Sequence, residues 1–281
     1  MTQRSLLITG CSSGIGRCLA EGLQQRGYRV FATARKAEDV TELRQAGFES
    51  YPLDLASSES IRQTVNDVLQ QSHGHLFGLI NNGAYGQPGA VEDLSRELLR
   101  TQFETNLFGT HELTTLVLPA MRSAGEGRIV QISSILGFAA MAYRGAYNAS
   151  KFALEGLSDT LRLELRGTSI FVSLIEPGPI RSRFRENALQ AFRANIDIEN
   201  SVHHKLYKSV LRRLEGQKGR MPFTLEPEAV LKRAIHALES GRPLARYYVT
   251  KPTYAFAWCK RLLPVRWLDS ILYHAGDKSE E

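Results

Sequence analysis

The sequence predicts an α/β fold, a doubly wound and mainly parallel sheet with helices on both faces. Short β-branched or apolar runs at 6–9, 30–33, 48–53, 77–80, 128–132 and 170–175 alternate with segments of helical length, the pattern of repeated βαβ units. Several runs, Leu6-Leu7-Ile8 among them, are continuously apolar instead of alternating, as expected of strands buried on both faces of a parallel sheet. The first run leads through a glycine-rich turn straight into a helical pattern, an arrangement that turns backbone N–H groups toward an anionic ligand.

Helical spacing covers 15–26, 57–71, 101–124 and 147–166, and in the last of these Leu154, Leu157, Leu161 and Leu165 mark a core face. After Ile175 the alternation loosens. Residues 178–224 read as an irregular helical insertion that serves as a substrate lid, because open α/β sheets bind ligands at the carboxyl ends of their strands. A final helix is expected near 227–240, followed by a C-terminal extension over 252–281. With 281 residues, 43% hydrophobic composition and no Pro/Gly/Ser-rich linker, a single domain over 1–281 is the economical organisation.

The first strand begins almost at Met1, which leaves no room for a cleavable leader and makes the cytoplasm the expected location. Apolar runs fall well short of the roughly 18 residues of a membrane-spanning helix. Cys11, Cys18 and Cys259 form no CxxC pair and read as free thiols. The net charge of +6, from 35 Lys and Arg against 29 Asp and Glu, suits a phosphorylated cofactor or an ordinary solvated surface. Arg181, Arg183, Arg185, Lys205, Lys208, Arg212, Arg213, Lys218 and Arg220 concentrate much of that charge. No reading module or aromatic interleaving accompanies them, so no nucleic-acid partner is expected. His73, His75, His203 and His204 lack further ligands at suitable spacing, and no metal is expected.

The glycine turn reads Thr9-Gly10-Cys11-Ser12-Ser13-Gly14-Ile15-Gly16. Its glycines permit a tight turn and close approach of backbone to a pyrophosphate. An NAD site commonly carries an acidic residue at the end of the second strand to hold the ribose hydroxyls. Here Arg35 and Lys36 stand there. A guanidinium pairs with a 2′-phosphate through charge-assisted hydrogen bonds, which argues for NADP(H); an exposed basic turn, or Glu38 or Asp39 in the role of the acid, is the competing reading. Asp54, after the third strand, can accept an adenine amino group or cap the helix that follows. Asn82 and Gly83, after the fourth, offer amide groups and a small-residue turn beside the cleft.

Tyr147 and Lys151 lie at i and i+4, which on a helix puts phenol and ammonium on one face. A nearby cation stabilises phenolate, so the expectation is a phenol lowered toward neutral pH and able to exchange a proton with a substrate oxygen. Ser134 ends the fifth strand and can hydrogen-bond the reacting oxygen, with Ser133 as the alternative. Asn106 can kink its helix and hold a water behind the lysine, or serve only in packing.

In order along the chain, TGCSSGIG, NNGA, the asparagine of NLFG, the serine of ISSILG, YNASK and PGPIRS together resemble the short-chain dehydrogenase/reductase family. The resemblance covers nearly the whole chain. It implies a Rossmann-like, seven-stranded parallel sheet and a catalytic tetrad of Asn106, Ser134, Tyr147 and Lys151. It also implies that Lys151 binds the nicotinamide ribose, that Pro177, Gly178, Ile180 and Ser182 contact the nicotinamide end, and that the chain forms a homodimer or homotetramer through its long helices. Gly83-Ala84 departs from the Ala-Gly usual in the family. The IEPGPIRSRF stretch, the CSSGIG loop and the Trp-containing tail are similar to the subgroup of retinol dehydrogenases, 17β-hydroxysteroid dehydrogenases and bacterial aldehyde reductases. This implies hydride transfer from NADPH to an apolar aldehyde or ketone carbon, with Ser134 holding the oxygen and Tyr147 protonating it.

A catalytically silent NADP-binding sensor or scaffold is a different class of function, against which the intact tetrad argues. A sugar-nucleotide epimerase is disfavoured by the spacing of the glycine turn. The tail from Tyr254 to Leu272 is apolar with a basic edge; it closes an apolar pocket, touches a lipid surface, or simply packs on the core.

Overall fold

The computed structural model describes residues 3–208, 211 and 223–277. Seven strands, β1 (Ser5–Ile8), β2 (Arg29–Ala34), β3 (Glu49–Pro52), β4 (Gly78–Asn81), β5 (Gly127–Ile132), β6 (Ile170–Glu176) and β7 (Arg246–Tyr248), form one sheet in the order β3-β2-β1-β4-β5-β6-β7. Every neighbouring pair is parallel. The first six are the runs read from the sequence, with their ends moved by no more than one residue.

Alternation within β1 explains its unbroken apolar run. Leu6 and Ile8 face one layer, where α1 (Gly14–Gln25) and α8 (Glu228–Glu239) bring Leu19, Leu23, Val230 and Leu238. Leu7 faces the other with Phe31, Leu79 and Ile129, against Val65 of α3 (Ser58–Gln71) and Leu113 and Val117 of α5 (Gly109–Ala124). Each such fully buried side chain contributes about 1.5–3 kcal/mol, so both layers are needed to hold the sheet. The remaining helices up to the lid are α2 (Ala37–Gln45), α4 (Arg96–Phe103) and α6 (Gly145–Glu164). Leu154 of α6 joins the core as expected, whereas Leu157 is 43% exposed. That corrects the core-face reading: the apolar stripe on α6 is wider than the part the sheet covers.

The helix expected over 101–124 begins earlier, with α4, and carries a π turn over Glu104–Phe108 before α5. Within the stretch 178–224, α7 (Phe184–Asn195) is regular and packs through Phe192 and Ile196 on Ala90, Leu94 and Ala146. The Tyr207 hydroxyl ties it further, donating to Asp93 (2.6 Å) and accepting from the Ala90 N–H (2.6 Å). Positions 209–210 and 212–222 of the expected lid, including Arg212, Arg213, Lys218 and Arg220, and 278–281 of the extension lie outside the described residues.

The helix expected near 227–240 is α8, and it is not the last. β7, α9 (Lys251–Leu262) and α10 (Val265–Asp277) follow. Pro252 sits in the first turn of α9, and Pro264 separates the two helices. Among the described residues no helix is long and apolar enough to cross a membrane.

The strand order reverses direction between β1 and β4. A crevice opens there at the carboxyl ends of the strands, and the loops after β1, β4, β5 and β6 converge on it.

Candidate active site

The glycine turn is braced by the neighbouring strand end. The Thr9 hydroxyl accepts from the backbone N–H groups of Asn82 (2.9 Å) and Gly83 (2.7 Å), while the Asn82 side-chain amide donates to the carbonyls of Thr9 (2.9 Å) and Gly10 (3.1 Å). Asn82 is therefore a strut of the turn as well as part of the crevice wall. Gly10 (φ 70°) and Gly14 (φ 56°) adopt left-handed backbone, and a Cβ on Gly14 would lie 2.7 Å from that of Ser182. Unlike α3 and α4, which Ser57 and Ser95 cap, α1 has no side-chain cap and no acid in its first turn. Its leading N–H groups and positive dipole end remain available to an anion.

Opposite the turn stand the residues expected to do chemistry. Tyr147 and Lys151 occupy the start of α6, and Ser134 follows β5. One cavity of about 740 Å³ is lined by all three and by Gly10, Ser12, Ser13, Ile15, Asn82, Gly83, Pro177, Gly178, Ile180 and Ser182. The Ser134 hydroxyl faces the Tyr147 phenol, whose ionised form it favours, and accepts from the Leu136 N–H at 3.1 Å. Ser133 lies on the side of Glu155 instead and its buried hydroxyl makes no hydrogen bond of good geometry, which separates the two candidate serines.

Electrostatics departs from the sequence expectation. Burial pushes the Tyr147 phenol up to about 12, against the opposing pull of Ser134 and Arg144. Burial also pushes Lys151 down to about 8, with Glu155 opposing. The lysine donates to the Ile132 carbonyl at 2.7 Å and lies 5.8 Å from the Tyr147 ring centre. Desolvation of the charged forms outweighs the helical pairing of cation and phenol.

Four other sets of expected site residues lie as follows. Asn106 sits buried in the π turn, its Oδ1 accepting from the Tyr85 N–H (3.1 Å) and its Nδ2 donating to the Tyr85 carbonyl (2.9 Å) and Ser150 Oγ (3.1 Å). Its amide is committed to fixing the loop after β4 against α6, so the side chain acts as a brace. A π turn supplies the local widening this requires. Asp54 lies outside the cavity lining, and Oδ1 closes a turn on the Ala56 N–H (3.0 Å) while Ser57 caps α3. Arg35 and Lys36 are exposed at the end of β2, also outside the lining. Gly14 and Gly16 likewise shape the turn from outside that lining.

A family model described as short chain dehydrogenase matches residues 4–192. The chain belongs to the short-chain dehydrogenase/reductase family. It is 44% identical over 270 residues to the uncharacterized oxidoreductase YbbO of Escherichia coli K12, spanning 96% of this chain and 94% of that protein. Retinol dehydrogenase 8 of Homo sapiens is 34% identical over 258 residues, spanning 86% and 80%. An actinorhodin polyketide ketoreductase variant with NADPH aligns with a TM-score of 0.71 at 30% identity, over 88% of this chain and 95% of that one.

As an oxidoreductase of this family, the chain presents residues that fit a dinucleotide. The uncapped α1, the close-set glycine turn and a cavity running from it to Tyr147 provide an anion seat and a path to the reacting groups. The farther wall escaped the sequence reading. Gln87, Met141, Phe184 and Phe223 contribute to it, as do Lys251, Pro252, Ala255 and Phe256 of α9. Phe184 meets Tyr147 edge-on at 5.3 Å. The expected lid over 178–224, which holds Phe184 and Phe223, and the apolar tail pointed to its segments but not to its residues, because these side chains share no motif and are gathered by tertiary packing.

Proposed function

We propose that this chain is an NADP(H)-dependent oxidoreductase that reduces an apolar aldehyde or ketone, with the reverse oxidation available to the same site. The carrying observation is the single cavity with the glycine turn at one end and Ser134, Tyr147 and Lys151 at the other. A bound nicotinamide supplies the hydride. Ser134 orients the substrate oxygen, and Tyr147, kept as a neutral phenol at neutral pH by burial, donates the proton to it. Lys151 holds the nicotinamide ribose and offers positive charge behind the phenol, and Asn106 secures the adjoining loop. Pro177, Gly178, Ile180 and Ser182 border the nicotinamide end, while Gly10, Ser12, Ser13, Gly14, Ile15 and Gly16 seat the pyrophosphate, with Asn82 and Gly83 beside them and Asp54 toward the adenine.

Support for an apolar substrate comes from Met141, Phe184 and Phe256 on the far wall and from the similarity to a retinol dehydrogenase. In this reading 178–224 is the lid and 252–281 an extension that closes the pocket. Phe256→Ala is expected to raise KM about tenfold for a long apolar aldehyde and little for a short one, as loss of apolar pocket contact worth ~1–3 kcal/mol would give. Steady-state kinetics on a chain-length series decides it; equal effects on both would remove α9 from substrate recognition.

The NADP preference rests on Arg35 and Lys36, with no acid at the end of β2, and is in keeping with the NADPH of the aligned ketoreductase. Removing both cations (Arg35→Ala with Lys36→Ala) should raise KM for NADPH about 10- to 100-fold, the worth of ~1.5–3 kcal/mol in charged hydrogen bonds, and leave KM for NADH nearly unchanged. The test is NADPH and NADH oxidation against a panel of aldehydes, ketones, retinoids and steroids; tight NADPH binding with no turnover on the whole panel would favour a binding protein.

The protein works in this reading as a cytoplasmic homodimer or homotetramer, which the exposed Phe108, Phe152, Leu157 and Leu163 around α5 and α6 support. The exposed Trp258 and Trp267, beside Arg261 and Arg266, support weak contact with a lipid surface.

A further inference from the structure

Behind the catalytic wall lies a buried acidic cluster that the proposed chemistry does not use. Glu155 stands one helical turn beyond Lys151 on α6, and Glu176 ends β6 immediately before Pro177. Glu176 is fully buried and Glu155 is 7% exposed. One guanidinium serves both glutamates, while Asp159 at the edge of the cluster is also paired with Arg162 at 2.8 Å. Arg246 of β7 places Nη2 3.0 Å from Glu155 and 2.7 Å from Asp159, and Nε 3.0 Å from Glu176.

Two buried carboxyl groups, Glu155 and Glu176, share a guanidinium that also serves the partly exposed Asp159, which leaves negative charge in excess on the buried pair and is costly unless a proton is retained. The other charged or titratable groups near the cluster are Lys151 and Arg162 on α6, Tyr248 on β7 and Lys260 on α9. Lys260 donates to the Phe138 carbonyl at 2.6 Å. Arg246 Nε faces Glu176 at ion-pair distance without the alignment of a hydrogen bond, and neither Glu176 oxygen has a hydrogen-bond partner of that quality. Burial first, and Glu155 second, push the Glu176 carboxyl up to about 8, so it keeps its proton at neutral pH and can donate it to Glu155. Ser133, the residue before Ser134, lies beside Glu155, although its Oγ and Glu155 Oε1 make no hydrogen bond of good geometry. The packing is close: a Cβ on Gly137 would lie 2.6 Å from Ser133 Oγ and 3.1 Å from Glu155 Oε1.

We propose that Glu155 and Glu176 form a carboxyl pair sharing one proton that positions the catalytic wall from behind. Glu155, held by Arg246, packs beside Ser133 across Gly137 and so backs the strand end carrying Ser134. Its negative charge, one turn behind Lys151, keeps that buried amine an ammonium. Both are positioning residues, acting through Ser134 and Lys151, and the inference rests on the roles proposed for those two.

The test combines thermal unfolding against pH, NADPH fluorescence titration against pH, and the pH profile of kcat, for wild type, Glu155→Gln, Glu155→Asp and Glu176→Gln. The folded pKa of Glu176 lies above its ordinary value of 4.5. Its favourable contribution is therefore complete below about pH 4.5 and is lost as pH rises through about 8. Wild-type Tm should fall across that window. Glu176→Gln, which mimics the protonated acid at every pH, should flatten the fall. Glu155→Gln removes the charge behind Lys151, so the alkaline limb of both NADPH affinity and kcat should move about one pH unit toward acid, about a tenfold loss above the limb. Glu155→Asp should restore part of that shift, whereas a merely structural residue would change Tm without moving the limb.

A wild-type Tm slope that persists in Glu176→Gln overturns the shared proton. An unmoved alkaline limb in a folded Glu155→Gln overturns the positioning role; if that variant does not fold, the limb in Glu155→Asp decides, with a smaller acid shift expected and no shift overturning it. The Tm slope needs neither cofactor nor substrate, so failure of the proposed reaction, seen as no turnover with any carbonyl, is distinguishable from failure of the pair.

Discussion

Tyr147→Phe is expected to lower kcat by about 10²- to 10⁴-fold, the usual worth of a positioned proton donor, while NADPH binding stays near wild type. The substitution removes a single hydroxyl. The ring keeps its edge-on contact with Phe184, and Ser134 keeps its hydrogen bond from the Leu136 N–H, so the wall should stand unaltered. Because burial holds the phenol up to about 12, wild-type Tyr147 is protonated throughout the neutral range, and reduction should not fail for want of a proton there. Loss of NADPH absorbance under saturating substrate measures the effect. A variant that turns over within a few-fold of wild type would move the proton donor elsewhere in the cavity.

Gly16→Ala should weaken NADPH binding by at least ~10-fold and destabilise the fold by about 1–3 kcal/mol, the range for overpacking a close-set site. The fault is space: an added Cβ would lie 2.0 Å from the Gly10 carbonyl oxygen and 2.5 Å from Asn82 Nδ2. Those two atoms hydrogen-bond each other, so relieving the clash forces apart the brace that shapes the pyrophosphate seat. Gly156→Ala on α6 is the matched control, since its added Cβ meets nothing within 4 Å and a mid-helix alanine gains roughly 0.5–1 kcal/mol. Thermal melting with NADPH titration compares the pair. Equal affinities in the two variants would detach the glycine turn from cofactor binding.

Much of the fold was legible because it is written locally. The run Leu6-Leu7-Ile8 needs two covered faces, and Gly10 through Gly16 carry the strand into the first turn of the helix with no intervening segment. The Tyr147 and Lys151 pair was legible for the same reason, as four residues on one helix. What escaped depends on partners far along the chain. β7 is three residues long and is a strand only because Arg246, Tyr247 and Tyr248 register with Leu174, Ile175 and Glu176. Asn106 could be suspected of bending its helix, but its partner Tyr85 lies in another loop. Spacing gave the right prospect for Lys151 and Tyr147 on one face, yet the wrong direction for the phenol, because helical periodicity does not register how deeply both groups are buried.

The strand order has a consequence for synthesis. A chain emerging amino end first builds β1 to β3 in one direction across the sheet, then β4 to β6 in the other, and leaves a bondable edge at β6 until a three-residue strand covers it. Arg246 arrives on that last strand, and Phe256 follows it. A polypeptide interrupted before them possesses its glycine turn and its tyrosine, yet carries an open edge, acidic side chains without their guanidinium, and a pocket lacking a wall. A chain ended before Arg246 is therefore expected to aggregate or be cleaved more readily than the whole, through its own exposed edge.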